Sequence, residues 1–283
     1  MDKRMIKLYK ARSIAGKTIS LIGKVFVCFM FAFPFYWMII TSFKTYMESI
    51  KYPPTLWPKA WTLEGYKTVF DGLDLGMYLK NSLIIIVCIV VMQMVIMVPA
   101  AYAFAKYKFK GSGIMFGIVM VAFMIPSQVT FITIYLMFSE MGVMKTLIPQ
   151  ILPFGANAFG IFLLRQNFKQ VPEELIESAR LDEAGEVKIM SRIMLPMAKS
   201  TMVTIALLSF ISHWNAYFWP LVMCTSEEVK PLTLAIAKLK DLEFGVVWPT
   251  IMAGNVLLVL PVLILFLLGS KKIIKAMAYR GIK

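Results

Sequence analysis

Between Gln170 and Ser200 the chain reads QVPEELIESARLDEAGEVKIMSRIMLPMAKS, a charged interval between two long apolar runs. It holds six acidic residues, Glu173, Glu174, Glu177, Asp182, Glu183 and Glu186, and four basic ones, Arg180, Lys188, Arg192 and Lys199. No convergent nucleophile, acid–base pair or metal set accompanies them, so bond-making chemistry is a poor reading. The chemistry implied is mechanical. A membrane protein keeps such a segment outside the bilayer when something soluble must grip it. The energy for movement is then supplied by a partner.

The chain carries no nucleotide site of its own. Gly16-Lys17-Thr18 imitates the end of a phosphate-binding loop, but that motif needs a glycine where Ala11 stands, with a strand before it and a helix after it. Cys28, Cys88 and Cys224 fall in or at the ends of apolar runs and show no ligand spacing, so they read as buried apolar residues. His213 is the one histidine, read as a polar residue at a helix interface, with a proton relay as the alternative.

The elements that must position these residues are membrane helices. Hydrophobic residues make up 59% of 283, well above the roughly 45–50% of a globular domain. A helix crossing a bilayer needs about 20 apolar residues. Six runs qualify: Val25–Phe43, Ser82–Ala105, Gly113–Met137, Leu147–Leu164, Ser200–Met223 and Val247–Gly269. They are continuous, which excludes the alternating pattern of membrane strands. The fold expected is therefore all-α and integral to the membrane.

Basic residues set the orientation. The N-terminal segment, the intervals after the second and fourth runs, and the tail together hold 21 of the 30 Lys and Arg residues. That side is cytoplasmic, and both termini lie on it. The net charge of +14 is then mostly topology. No basic stretch is interleaved with stacking aromatics, so nucleic-acid binding is excluded. The first apolar run is too long for a signal-peptide core and lacks a small-residue cleavage site, so it is expected to be retained. The domain plan is a cytoplasmic segment (1–24), a six-helix membrane domain (25–269) with residues 170–199 as its coupling segment, and a cytoplasmic tail (270–283).

None of the six runs contains Asp, Glu, Lys or Arg. Ion-coupled carriers need an ionisable relay inside the membrane. Charge-free spans argue against a self-powered transporter and suit a neutral polar cargo.

Within the charged interval, Pro172 can open a helix, and Glu173, Glu174 and Glu177 favour its N-terminus. Leu175, Ile176 and Ala179 supply its apolar side. A break is expected over Asp182–Gly185, with Asp182 capping the next helix. That second helix should run from about Glu186, with Ile189, Ile193, Met190 and Met194 along one side. It should bend at Pro196 toward the fifth span. Such a knob, joined to the fifth span, can pass on a push. The alternative is an amphipathic hairpin lying on lipid.

The spacing of Glu177, Ala179, Ile193, Leu195 and Pro196 resembles the coupling motif of inner-membrane permeases of binding-protein-dependent ABC importers. Pro99–Gly111, Ile125–Thr146, Asn157–Phe168 and His213–Leu221 are similar to the carbohydrate branch of the maltose and oligosaccharide type, in particular to the second of its two permeases. The resemblance covers most of the chain from about Thr41. It implies the type I importer permease fold in a bacterial inner membrane. It also implies a homologous second permease, two copies of a cytoplasmic ATPase and an extracytoplasmic sugar-binding protein. ATP and magnesium would be bound by the ATPase and no cofactor by this chain, which is not itself an enzyme. Glu177, Ser178, Ala179 and Asp182 would sit at the ATPase docking surface, and the tail (270–283) can also touch the ATPases.

The chain departs from the motif at two positions: Ser178 replaces an alanine, and Glu183 replaces the glycine. A glycine permits a left-handed turn that Glu tolerates poorly. Gly185 is therefore expected to take over the bend.

Sugar-pathway candidates are polar and aromatic residues within spans: Gln128, Thr130, Thr133, Asn157, Ser212, Trp214, Asn215, Tyr217, Trp219 and Asn255. The competing reading of each is packing between helices. Pro126, Pro220 and Pro261 are expected kinks. The 38-residue interval Lys44–Asn81 is the longest outer loop, expected to hold short helices that meet the binding protein or pack on the partner permease. Two alternatives stand beside the sugar reading: an importer permease for another neutral or polar solute, and a self-contained channel or carrier.

Overall fold

The computed structural model describes the backbone of residues 3–240 and 246–278. Among these residues every regular element is helical. In chain order the helices are α1 (Lys3–Ser42), α2 (Tyr46–Ser49), α3 (Glu64–Gly72), α4 (Leu75–Lys106), α5 (Ser112–Met124), α6 (Ser127–Glu140), α7 (Ile148–Ile151), α8 (Ala158–Phe168), α9 (Glu173–Leu181), α10 (Glu186–Ile189), α11 (Leu195–Met197), α12 (Lys199–Trp214), α13 (Phe218–Met223), α14 (Leu232–Lys238) and α15 (Trp248–Ala278). A π turn (Met190–Met194) joins α10 to α11.

Among the described residues three stretches are single helices long and apolar enough to cross a membrane: Ser20–Ser42, Leu75–Lys106 and Trp248–Leu267. Two further pairs pass the same test but are sharply bent: α5 with α6, by 91°, and Glu186–Met197 with α12, by 78°. The remaining run, Leu147–Leu164, is α7, a 3-10 turn at Leu152–Phe154, and α8. Pro149, Pro153 and Gly155 punctuate it, and Asn157 restarts the helix by accepting the Gly160 amide at 3.0 Å.

The predicted kinks divide. Pro126 separates α5 from α6. It forces Ile125 into an extended conformation (φ −72°, ψ 120°), as the residue before a proline prefers. The break in the fifth run falls at Asn215–Tyr217, ahead of Pro220, which sits in the first turn of α13 where its missing N–H matters little. Pro261 lies within the continuous α15.

The chain divides into two compact units. One comprises residues 1–73 and 238–259. There the loop after α1 holds α2 and α3 and ends sooner than expected, because Asp74 caps α4 by accepting the Met77 amide. Lys44 is buried in this loop, donating to the Thr55 carbonyl at 2.5 Å with its ammonium 4.3 Å from the Trp37 ring centre. Glu48 accepts from the Thr55 hydroxyl and the Lys59 amide. Burial holds the Lys44 ammonium pKa below its ordinary value; burial also opposes the Glu48 charge, but these donors hold the Glu48 carboxyl below its ordinary value.

The other unit comprises residues 74–237 and 260–283. Its core joins Met97, Val98, Ala101 and Tyr102 of α4 to Ile161, Leu164 and Phe168 of α8, to Ile176, Ile189 and Met194, and to Ile205 of α12. The last five residues of the tail expected at the ATPases (279–283) lie outside the described residues, as do the tail's side chains.

Candidate functional site

The charged interval folds as two short helices, and its turn is defined by hydrogen bonds. Pro172 (φ −55°, ψ 138°) leads into α9 from the cap position. Glu173 and Glu174 occupy the first turn, where the helix dipole favours them. Ile176 is fully buried and Ala179 partly so. At the far end the Ala184 amide donates to the Ala179 carbonyl at 2.9 Å, and the Glu183 amide to the Arg180 carbonyl at 3.0 Å. That pair is a Schellman ending, which needs a left-handed residue just past the cap. Glu183 is that residue, with φ 54°.

Two expectations are corrected here. Gly185 does not take over the bend; its φ is −65° and its ψ 159°, an extended residue opening α10. The position matters more than the residue type, because the two hydrogen bonds fix where the left-handed residue must fall. Glu accepts a strain of about 1–2 kcal/mol there. Asp182 does not cap the second helix. It is the closing residue of α9, with its own amide bonded to Ser178 and Arg180 carbonyls.

The second helix buries Ile189 and Met194 completely. These residues are five apart, out of phase for an α-helix. The π turn, with the Leu195 amide on the Met190 carbonyl, brings both onto one face. Met190 and Ile193 pack at its edges. Ala198, after Pro196, separates α11 from α12 at the 78° bend.

Polar tethers hold this knob against α4. Lys106 Nζ donates to the Val171 carbonyl at 2.8 Å and to Glu173 at 3.0 Å. The Tyr102 hydroxyl donates to Glu186 Oε2 at 2.6 Å. Arg180 grips Oε1 of the same carboxylate through Nε (3.3 Å) and a terminal nitrogen (3.1 Å). The hydroxyls of Tyr102 and then Tyr107 hold the Glu186 carboxyl below its ordinary value, against partial desolvation. Glu186 in turn raises Arg180, and burial and then Glu186 raise Tyr107.

What the knob leaves outward is mixed. Leu181 is 86% exposed and Val187 73%, beside exposed Glu174, Glu177, Ser178, Asp182 and Glu183. An apolar centre with an acidic rim is suited to a protein groove carrying basic residues.

Within the same unit lies a cleft of about 730 Å³. Its polar lining is Gln93, Asn157, Ser209, Ser212 and His213, and its aromatic lining Phe123, Phe154 and Phe159. His213 meets Phe154 edge-on at 4.7 Å between ring centres. Gln93 is buried; it donates to the Phe154 carbonyl at 2.8 Å and accepts the Ser209 hydroxyl at 2.5 Å. α4, α12 and the turn before α8 are thus bolted at one amide.

A sequence model of the binding-protein-dependent transport system inner membrane component family matches residues 97–275. The chain belongs to that family. It is an inner-membrane permease, and the named relatives agree. Diacetylchitobiose uptake system permease protein DasC of Streptomyces coelicolor is 31% identical over 96% of this chain and 99% of its own. Arabinooligosaccharides transport system permease protein AraQ of Halalkalibacterium halodurans is 29% identical over 93% and 95%. sn-Glycerol-3-phosphate transport system permease protein UgpE of Brucella abortus is 26% identical over 96% and 98%. In the crystal structure of a bacterial ABC transporter that imports the acidic polysaccharide alginate, one chain superposes with a TM-score of 0.82 at 25% identity, over 92% of this chain and 97% of that one. A second alginate transporter structure, with a pentasaccharide-bound periplasmic protein, shares the fold at a TM-score of 0.64 and 14% identity, over 93% and 95%.

Of the pathway residues expected in this permease, Asn157 and Ser212 reach the cleft. Gln128 and Thr130 stand on α6, the Thr130 hydroxyl turned back to the Ser127 carbonyl. Trp214 is buried and stacks on Phe210 at 5.5 Å. Asn215 donates to the Ile211 carbonyl, and Tyr217 is exposed. Trp219 donates to the Pro149 carbonyl. Asn255 is half-buried on α15 within the unit of residues 1–73 and 238–259. Gln93 and Ser209 are absent from the expected set, although an amide in the middle of an apolar run is itself a signal of an internal polar contact.

Proposed function

We propose that this permease forms, with a homologous second permease, the pathway of an ABC importer for a neutral sugar or oligosaccharide. Residues 170–199 are the coupling segment through which a cytoplasmic ATPase drives the spans. The six apolar runs are the six spans, both termini are cytoplasmic, and an extracytoplasmic binding protein delivers the sugar. ATP and magnesium belong to the ATPase. The observation that carries the coupling role is the knob itself: tethered on its inner side to α4, with Leu181, Val187 and an acidic rim left outward.

The sugar assignment is supported by the cleft. Amide, hydroxyl and imidazole groups among three phenylalanines match hydroxyl-rich rings with apolar faces. None of the lining residues is Asp, Glu, Lys or Arg. A phosphate or uronate cargo calls for charge-assisted partners, Arg above all. Relatives named for diacetylchitobiose and arabinooligosaccharides favour the same class, while others are named for glycerol-3-phosphate and for the acidic polysaccharide alginate, so the uncharged lining is what favours a neutral sugar here.

The coupling role is tested by Glu177→Lys in the assembled complex. The expected result is a complex present in the membrane at normal level with ATP-driven oligosaccharide uptake lost. Normal uptake by this variant would remove Glu177 from the docking surface and sink the assignment.

A further inference from the structure

Tyr102 and Lys106 are one helical turn apart on α4 and share a face. Lys106 holds the entry to α9, through the Val171 carbonyl and Glu173, the first residue of that helix. Tyr102 holds Glu186, the first residue of α10. One turn of α4 therefore grips the leading residue of both helices of the coupling segment. On the stretch of α4 just before Tyr102 the core seals the contact: Met97, Val98 and Ala101 share one buried cluster with Ile176, Ile189 and Met194. Arg165 of α8 adds a bond to the Phe104 carbonyl at 3.1 Å, on the same stretch of α4. The covalent route onward is not straight. It passes through the π turn and then a 78° bend at Ala198 before α12 begins.

We propose that α4, and not the directly connected α12, is the main beam carrying movement of the coupling segment across the membrane, with Tyr102 and Lys106 as its positioning residues. The proposal rests on the coupling role argued above. α4 suits the task. It is a continuous helix of 32 residues from Leu75 to Lys106, with Pro99 its one position without a backbone N–H, and it is long enough to reach beyond both faces of the hydrocarbon layer at about 1.5 Å per residue. Near its middle Gln93 ties it to α12 and to the Phe154 turn, so its displacement would reach the cleft.

The test is hydrogen exchange on the full complex, with its ATPase and second permease in lipid nanodiscs, free and trapped with ATP and vanadate. In the unmodified complex, trapping alters exchange in 173–197 and at the far end of α4, residues 75–82. Tyr102→Phe with Lys106→Met keeps the change in 173–197 and weakens that in 75–82 by about threefold or more, the factor expected from losing a typical inter-helix hydrogen bond. Tyr102→Phe alone, which deletes one oxygen, weakens it in the same direction, and Lys106→Arg preserves it. If 75–82 responds in the double variant as in the unmodified complex, or never responds, α4 is not the beam. If 173–197 is never altered by trapping, the coupling role itself falls.

Discussion

The Ala184 amide closes on the Ala179 carbonyl at 2.9 Å, and it can do so because Glu183, between them, turns left-handed. The knob's shape follows from that bond. α9 stops, the chain reverses its hand for one residue, and α10 starts three residues later. A left-handed non-glycine is strained by about 1–2 kcal/mol, while a glycine adds about 0.5–1 kcal/mol of unfolded-state entropy. Glu183→Gly should therefore stabilise the turn slightly, by about 0.5 kcal/mol. Glu183→Val should destabilise it, since a β-branched residue resists this conformation most. Amide exchange at 183–185 reads both; slower exchange in the valine variant would show that Glu183 is not held in a strained turn.

Ile176 and Leu181 are both apolar residues of α9, with opposite exposure. Ile176→Ala should cost about 2–5 kcal/mol, as a cavity in a packed core does. It should make the interval 170–199 sensitive to limited proteolysis. Leu181→Ala should leave proteolysis unchanged and lower the amount of ATPase that copurifies. If Leu181→Ala opens the segment to protease, its side chain has a packing role that the exposed position does not provide.

Gln93 and Ser209 form a buried pair between α4 and α12. Inter-helix hydrogen bonds in membranes average about 0.6 kcal/mol and reach about 1.7. Gln93→Leu should exceed that range's middle, because it frees both the Ser209 hydroxyl and the Phe154 carbonyl. Adding Ser209→Ala should cost little more. Fully additive losses in thermal unfolding would show that the two side chains act independently.

Glu186 gives the knob a pH limit. Its carboxyl is held below the ordinary 4.5 by the Tyr102 and Tyr107 hydroxyls and Arg180. A depressed carboxylate stabilises the fold fully above its unfolded pKa, and that contribution fades as pH falls through the folded value. Exchange protection of α10 should be flat from pH 7 to about 5 and fall below the ordinary carboxyl range. Glu186→Gln should lack this acid limb. An identical acid limb in the variant would assign the effect to another group.

Much of this architecture is readable from the chain. Long apolar runs mark α1, α4 and α15 because continuous burial in lipid demands them, and Pro126 marks a break because its ring excludes the helical conformation of Ile125. The charged interval declares two helices through Glu173, Glu174 and the Asp182–Gly185 break. Other features depend on contacts far along the chain. Glu183 accepts strain that a single residue type would argue against, because two backbone hydrogen bonds repay it. The π turn is invisible to a 3.6-residue period, since only the core tells Ile189 and Met194 to face the same way. Gln93 looks like one polar residue among apolar neighbours until Ser209, 116 positions away, is brought against it.

The coupling role requires an ATPase, and not lipid, to cover the outward face of residues 170–199. Leu181, the most exposed apolar side chain of α9, is the position at which to ask, with a photo-crosslinking amino acid placed there in the complex assembled in its own membrane. One protein adduct is expected, with an ATP-binding subunit, and its yield should change when ATP is trapped. Labelling of lipid alone, with no adduct to an ATP-binding protein, would overturn the coupling role and favour a hairpin lying on the membrane surface.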